Sequence, residues 1–289
     1  MNTESFKDEL QSLDVQSVIL SDNGKEVFHY EQNLGDSQKL HRINSVTKSI
    51  LSVVTGIALD KDEFPSIDQP VQSILSDSFK ESTRIKDLLM LSAGADPDFW
   101  WTFLKEEQSF EQLIASYTYP LSTEIRYNNT DSHILREILE SSTKRDVFDY
   151  LSDHLFEPLA IQHAKWDQDH HGKRIGGYGL WLSAKDISKI ANLILNDGLF
   201  DGKQLISASW LKESTTGRIK TPQPNQSYGY HWWISSEAGN QPAFYYAAGM
   251  GGNFMVMVPS LKRSIVICSS LKRKESLKPF YLMLKYLIY

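Results

Sequence analysis

The chain has 289 residues, enough for one large domain or two small ones with a substantial core. A composition of 41% hydrophobic and 23% charged residues is that of a globular protein, and no run reaches the ~18–20 apolar residues of a membrane span. With 30 basic and 36 acidic side chains the net charge is −6, which gives no general pull toward nucleic acid, and the single cysteine, Cys268, excludes an intramolecular disulfide.

The N-terminus, Met1 to Glu9, is polar, and no apolar stretch of signal-peptide length lies behind it, so a cytoplasmic protein without a membrane partner is expected. Val15 to Glu31 reads as a β-hairpin: Val18-Ile19-Leu20, a turn at Asp22-Asn23-Gly24, then Glu26 to Tyr30. Asn-Gly supplies the positive φ of a tight turn. From Ser45 to Leu59 the apolar residues Ile50, Leu51, Val54, Ile57 and Ala58 recur at helical spacing, which predicts a mostly buried helix ended by Asp60 to Glu63 and Pro65.

Helical periodicity continues through Ile85–Leu91, Phe110–Tyr117, Ser132–Ser141 and Val147–Phe156, where Glu157-Pro158 stops it. Ile187 to Leu195 is a further helix with Asn196-Asp197-Gly198 as its cap, and Ser207 to Glu213 a short one. The last third changes to aromatic and β-branched runs: Tyr228–Ile234, Phe244–Ala247, Asn253–Val258 and Ser264–Cys268. These predict a strand meander, with Cys268 buried and structural, and Leu277 to Leu287 a closing helix. The expected fold class is α+β: one antiparallel sheet from the N-terminal hairpin and the C-terminal strands, flanked by helices, with an inserted mostly helical subdomain.

Ser45-Val46-Thr47-Lys48 is an S-x-x-K motif. Positions i and i+3 share a helix face, so the amine can reach the hydroxyl. A neutral amine in a desolvated cleft can accept that proton, and a serine in the first turn lies where the helix dipole favours negative charge. Ser141-Lys144, Ser209-Lys212 and Ser269-Lys272 have the same spacing. Ser45 differs from these in context, because it follows a loop and opens a strongly apolar helix. Tyr127-Asn128-Asn129 is the chain's one Tyr-x-Asn triplet. A phenol beside an ammonium loses its proton more easily and can serve a leaving group, and the Asn129 amide can hold the lysine and a substrate carbonyl. The same triplet also fits a plain turn before a helix.

Taken in order, Ser45-x-x-Lys48, Tyr127-x-Asn129 and Ala247-Ala248-Gly249 resemble the three motifs of the class C β-lactamase, DD-peptidase and esterase group within the serine β-lactamase-like, penicillin-binding protein superfamily. Ile85 to Gly94, Phe156 to Leu159, Gly176 to Asp186 and Gly202 to Ser207 are similar to that family as well, so the resemblance covers about residues 15 to 270. It implies a single catalytic domain over 1–289, with an α/β part at about 1–60 and 175–289 and a helical part at about 61–174. It also implies Ser45 as nucleophile, Lys48 as base, Tyr127 as proton relay, Asn129 as orienting amide and the Ser45 and Met250 N–H groups as oxyanion hole.

One departure matters. Family members acting on β-lactams or peptidoglycan usually carry Lys/His-Thr/Ser-Gly at the third motif, where this chain has Ala247-Ala248-Gly249. Gly249 still permits close substrate approach beside Ala248, but the cation and hydroxyl that grip a carboxylate are missing. Arg42, Lys173 and Arg174 are candidate replacement cations. Trp100-Trp101 and Trp232-Trp233 are candidates for an apolar acyl pocket, against ordinary core packing. Asp167 to His171 lacks an H-E-x-x-H partner and reads as a polar loop, so neither a metal nor a cofactor is implied. The expected function is a serine hydrolase working through an acyl-enzyme on a small ester or amide. The alternatives are a non-catalytic sensor or binding protein of the same fold, or a true β-lactamase or DD-peptidase.

Overall fold

The computed structural model describes residues 1–75, 82–105, 109–110 and 121–288. Its centre is an eight-stranded antiparallel sheet. β1 (Val15–Asp22) and β2 (Lys25–Glu31) form the expected hairpin around Asn23-Gly24. β1 then pairs with the C-terminal strand β13 (Arg263–Ser269), which is followed by β12 (Asn253–Val258) and β11 (Phe244–Gly249). β10 (Trp233–Ser235), β9 (Gln226–Tyr228) and β8 (Ile219–Lys220) complete the other edge. A small three-stranded sheet joins β3 (His41–Arg42), β5 (Leu180–Leu182) and β4 (Lys165–Trp166), and β6 (Leu199–Phe200) pairs with β7 (Lys203–Gln204).

Both faces of the main sheet are covered, which explains why its strands read as unbroken apolar runs. Along β12, Phe254, Val256 and Val258 point to one core, while Met255 and Met257 point to the other. β13 alternates likewise: Ile265 and Ile267 against Val266 and Cys268. The first face is closed by α1 (Thr3–Leu10) through Phe6 and Leu10, and by the C-terminal helix α10 (Lys278–Tyr286) through Phe280 and Met283. The second face carries α2 (Val46–Asp60) and α8 (Ala184–Leu195). Burial pushes the Cys268 thiol up to about 12, so it behaves as a packed apolar group.

The middle of the chain supplies α3 (Gln72–Leu75), α4 (Ile85–Leu89), α5 (Phe99–Phe103), α6 (Thr130–Thr143) and α7 (Val147–Leu151), the last running into a wider helical turn at Ser152–Phe156. α9 (Ala208–Ser214) packs against α2. The expected helix at Phe110–Tyr117 lies largely outside the described residues. Among the described residues no helix is long and apolar enough to cross a membrane.

The polar N-terminus, for which the sequence suggested no element, forms a helix, because its few apolar side chains are spaced to bury one stripe. One expectation changes. The run Tyr228–Ile234 is not one strand. His231, at φ 64, makes a tight reversal between β9 and β10, and the Gly229 N–H donates to the Trp232 carbonyl at 2.8 Å.

α2 is wrapped closely. Every residue from Val46 to Ala58 is buried, and a Cβ added at Gly56 would overlap the Trp210 ring. That ring is held by its Nε1 donating to the Ser52 carbonyl at 3.0 Å and by stacking on Tyr230 at 5.7 Å between centroids. Gly56→Ala is therefore expected to destabilise the fold by ~1–3 kcal/mol through overpacking. Urea unfolding checks this, and an unchanged midpoint would show that Trp210 can swing aside.

Candidate active site

Ser45 sits at the N-terminal junction of α2, just after Asn44, which takes the left-handed conformation at φ 48. Lys48 follows one turn later and is 1% exposed, because α2 is enclosed by the core from its first turn. Its Nζ lies 2.7 Å from Asn129 Oδ1, 2.7 Å from the Gly177 carbonyl and 3.5 Å from Ser45 Oγ. It also stands 4.9 Å from the centre of the Tyr127 ring. The first two motifs, about 80 residues apart in sequence, therefore meet around one amine.

Burial pushes the Lys48 amine down to about 7, against the charge of Asp131, which raises it. Asp131 is fully buried in the first turn of α6. Burial likewise pushes its carboxyl up to about 7. His231 is buried nearby, held by its backbone N–H on the Leu89 carbonyl at 2.9 Å and by Ser49 Oγ donating to its own carbonyl at 2.6 Å. Desolvation keeps its imidazole well below the usual histidine range, and Lys48 adds to that. Sequence reasoning missed both Asp131 and His231, since a lone Asp or His carries no spacing signal.

Tyr127 corrects one expectation. Its phenol is pushed up to about 12 by desolvation, although a hydrogen bond with the Ser45 side chain lowers it. The assumed ammonium neighbour is itself driven toward neutrality, so it does not ease ionisation. The Tyr127 ring stacks on Trp233 at 5.5 Å and 21°, with the edge of Tyr228 at 6.3 Å.

Gly177 is a third missed residue. A Cβ there would lie 2.6 Å from Asn129 Oδ1, so only glycine lets its carbonyl reach Lys48 beside that amide. The Gly176-Gly177 pair was visible in sequence, but its purpose was not.

The third motif ends β11. A Cβ at Gly249 would overlap the Ile43 carbonyl and lie 3.3 Å from Ser45 N, so the glycine brings this strand against the Ser45 backbone. Ala247 is buried, Ala248 is half-buried, and Met250, at the start of the following turn, is 58% exposed. Each candidate replacement cation has an acidic neighbour, and Arg42 also lines a cavity with Asn44 and Met250. Arg42 pairs with Asp167 at 2.7 Å and Arg174 with Asp146 at 3.4 Å, while Lys173 stands 4.0 Å from Glu140.

The tryptophan candidates divide. Trp100 and Trp232 are both 0% exposed, which corrects the pocket-lining expectation for these two. Trp100 packs among Phe103, Phe110 and His133 and donates Nε1 to Tyr178 Oη at 3.1 Å. Trp232 meets the edge of Tyr245 in the core. Trp101 is exposed instead, and Trp233 is half-buried against Tyr127. In the remaining S-x-x-K copies Lys144, Lys212 and Lys272 are all exposed, so burial of the lysine singles out the Ser45 copy.

Comparison with known proteins gives the family and the fold. The profile of the Beta-lactamase family matches residues 9–286. A 6-aminohexanoate-dimer hydrolase of Paenarthrobacter ureafaciens is 22% identical over 262 residues, covering 80% of this chain and 66% of that protein. The chain thus spans about two thirds of that relative's length, slightly under. Among solved structures, EstCE1, described as a hydrolase with promiscuous acyltransferase activity, superposes with a TM-score of 0.82 at 13% identity, covering 99% of this chain and 97% of its own. A D-stereospecific amidohydrolase from Streptomyces gives a TM-score of 0.72 at 14% identity, covering 92% and 93% of the two chains. At such identities the structural likeness speaks for the fold. With the family profile matching nearly end to end, the chain belongs to the Beta-lactamase family of serine hydrolases.

Proposed function

We propose that this chain is a single-domain acyl-transfer hydrolase that cleaves small esters or amides through an acyl-enzyme on Ser45. The observation that carries this reading is the buried Lys48 amine in contact with Ser45 Oγ. A neutral amine has two N–H donors and one lone pair. Asn129 Oδ1 and the Gly177 carbonyl, each at 2.7 Å, accept the two donors. The lone pair is left for the Ser45 hydroxyl, which makes Lys48 a general base.

Ser45 Oγ then attacks the carbonyl carbon as Lys48 takes its proton. The charge on the tetrahedral oxygen is held by the Ser45 and Met250 N–H groups, one at the start of α2 and the other just past Gly249. Tyr127, which stays a phenol, gives its proton to the leaving group and regains one from Lys48. Water enters by the reverse route and releases the acid. Names of relatives support the class of reaction: one is a hydrolase with acyltransferase activity, another an amidohydrolase.

Four outcomes are expected. A fluorophosphonate should label Ser45 alone, and peptide mapping of the adduct to Ser141, Ser209 or Ser269 contradicts the assignment. In kcat/KM, activity should rise with pH along an acid limb centred near the Lys48 value of about 7, since protonation of the base below that pH removes it. Lys48→Ala should lower kcat by ~10²–10⁴-fold; a folded variant with unchanged kcat shows that another group takes the proton. Finally, with Ala247 and Ala248 at the third motif in place of a cation and a hydroxyl, p-nitrophenyl butyrate should be cleaved with higher kcat/KM than nitrocefin. Loss of one charge-assisted hydrogen bond corresponds to roughly ten- to a hundredfold. Efficient nitrocefin hydrolysis beside negligible ester cleavage makes the protein a β-lactamase instead.

A further inference from the structure

The turn after β11 is held from the nucleophile's side by a residue with no role in the reaction scheme above. Asn44 directly precedes Ser45, and its positive φ is one that asparagine tolerates better than most residues. Its Nδ2 donates to the Met250 carbonyl at 2.6 Å, across 206 positions of sequence. Asn253 Nδ2 donates to the same carbonyl at 3.1 Å, while its Oδ1 accepts from the Ser269 N–H at 3.2 Å. Both lone pairs of the Met250 carbonyl are thus taken.

The rest of the turn is fixed as well. The Gly251 N–H donates to Ser276 Oγ at 3.0 Å, and Ser269 Oγ donates to the Gly251 and Gly252 carbonyls. These bonds tie the turn to the sheet and to the C-terminal segment. The Asn44 bond is different in kind, because it ties the turn to the backbone joint that carries the Ser45 N–H. Two oxyanion donors act together only when their separation is set before the reaction. One donor comes from the start of α2 and the other from the end of β11, so a side chain bridging those elements controls that separation.

Resting on the hydrolase reading above, we propose that Asn44 is a positioning residue: its amide, by gripping the Met250 carbonyl, sets the Met250 N–H against the Ser45 N–H. Asn44 does not touch the reacting atoms. It acts through the turn, so its loss weakens binding of the tetrahedral state and leaves binding of the planar substrate nearly untouched.

Two variants test this without forcing a side chain into a hostile conformation. Asn44→Asp keeps the size and the φ tolerance but removes the donor. Asn44→Gly removes the side chain and is free at positive φ. The readouts are kcat and KM for p-nitrophenyl butyrate, per site titrated by a fluorophosphonate, and the affinity of phenylboronic acid, which forms a tetrahedral adduct on an active serine. Both variants should lose ~10–10²-fold in kcat, short of the loss of a whole oxyanion donor. KM should stay within about twofold, and boronate affinity should fall in parallel with kcat. The proposal is overturned if per-site kcat and boronate affinity match the wild type, including the case where only the titratable fraction drops, which marks a purely structural role. Wild-type protein that neither titrates nor turns over the ester overturns the hydrolase reading itself, and that result is read before any variant is made.

Discussion

Withdrawal of one amine from water is the constraint on which the site depends. An exposed lysine is an ammonium at neutral pH, with three donors and no lone pair. Lys48 is nearly inaccessible, and burial carries it to about 7. Desolvation alone leaves an unpaired polar group at a cost, so the two acceptors at 2.7 Å matter as much as the burial. Asn129 and Gly177 satisfy the amine without supplying the full negative charge that would drive it back to the cation. Asp131 pulls in the opposite direction, but it too is buried, and its own carboxyl is raised by that burial.

The scaffold can be read as what this amine requires. α2 has to be enclosed along its length: Trp210 closes over Gly56, and the sheet and α6 cover its other sides. The N-terminus of α6 has to deliver Asn129, and the strand-poor segment before β5 has to bring a bare backbone carbonyl to the same point, which only glycine permits at 177. β11 has to run close beside Ser45, which excludes a side chain at 249. Four segments remote in sequence thus converge on a volume of a few ångströms. Close packing there turns small displacements into lost hydrogen bonds.

Much of this was legible in the sequence, for identifiable reasons. The hairpin at Val15–Glu31 announces itself through Asn23-Gly24, and the strands β11 to β13 through apolar runs that the doubly covered sheet explains. Ser45, Lys48, Tyr127 and Asn129 stood out by motif and order, and the structure brings them to one place. Other features depend on three dimensions and left no trace. The break at His231 within an aromatic, β-favouring run is imposed by the backbone reversal. Trp100 and Trp232 read equally well as pocket or core, and only their neighbours decide for the core. The direction of the Tyr127 shift failed because desolvation of the phenol itself raises it, which the motif alone does not show. Asn44 looks like any loop residue until the Met250 carbonyl is seen in front of it.

The central claim is that Lys48 is largely neutral at the pH where the enzyme works. Carbon-13 NMR of protein labelled at the lysine Cε tests it directly, with the Lys48 resonance assigned by its loss in Lys48→Arg. A Lys48 titration midpoint near 7, far below that of the exposed lysines, is the predicted result. A midpoint at the ~10.4 of an ordinary lysine would contradict it, because an amine still protonated there cannot take the Ser45 proton at neutral pH.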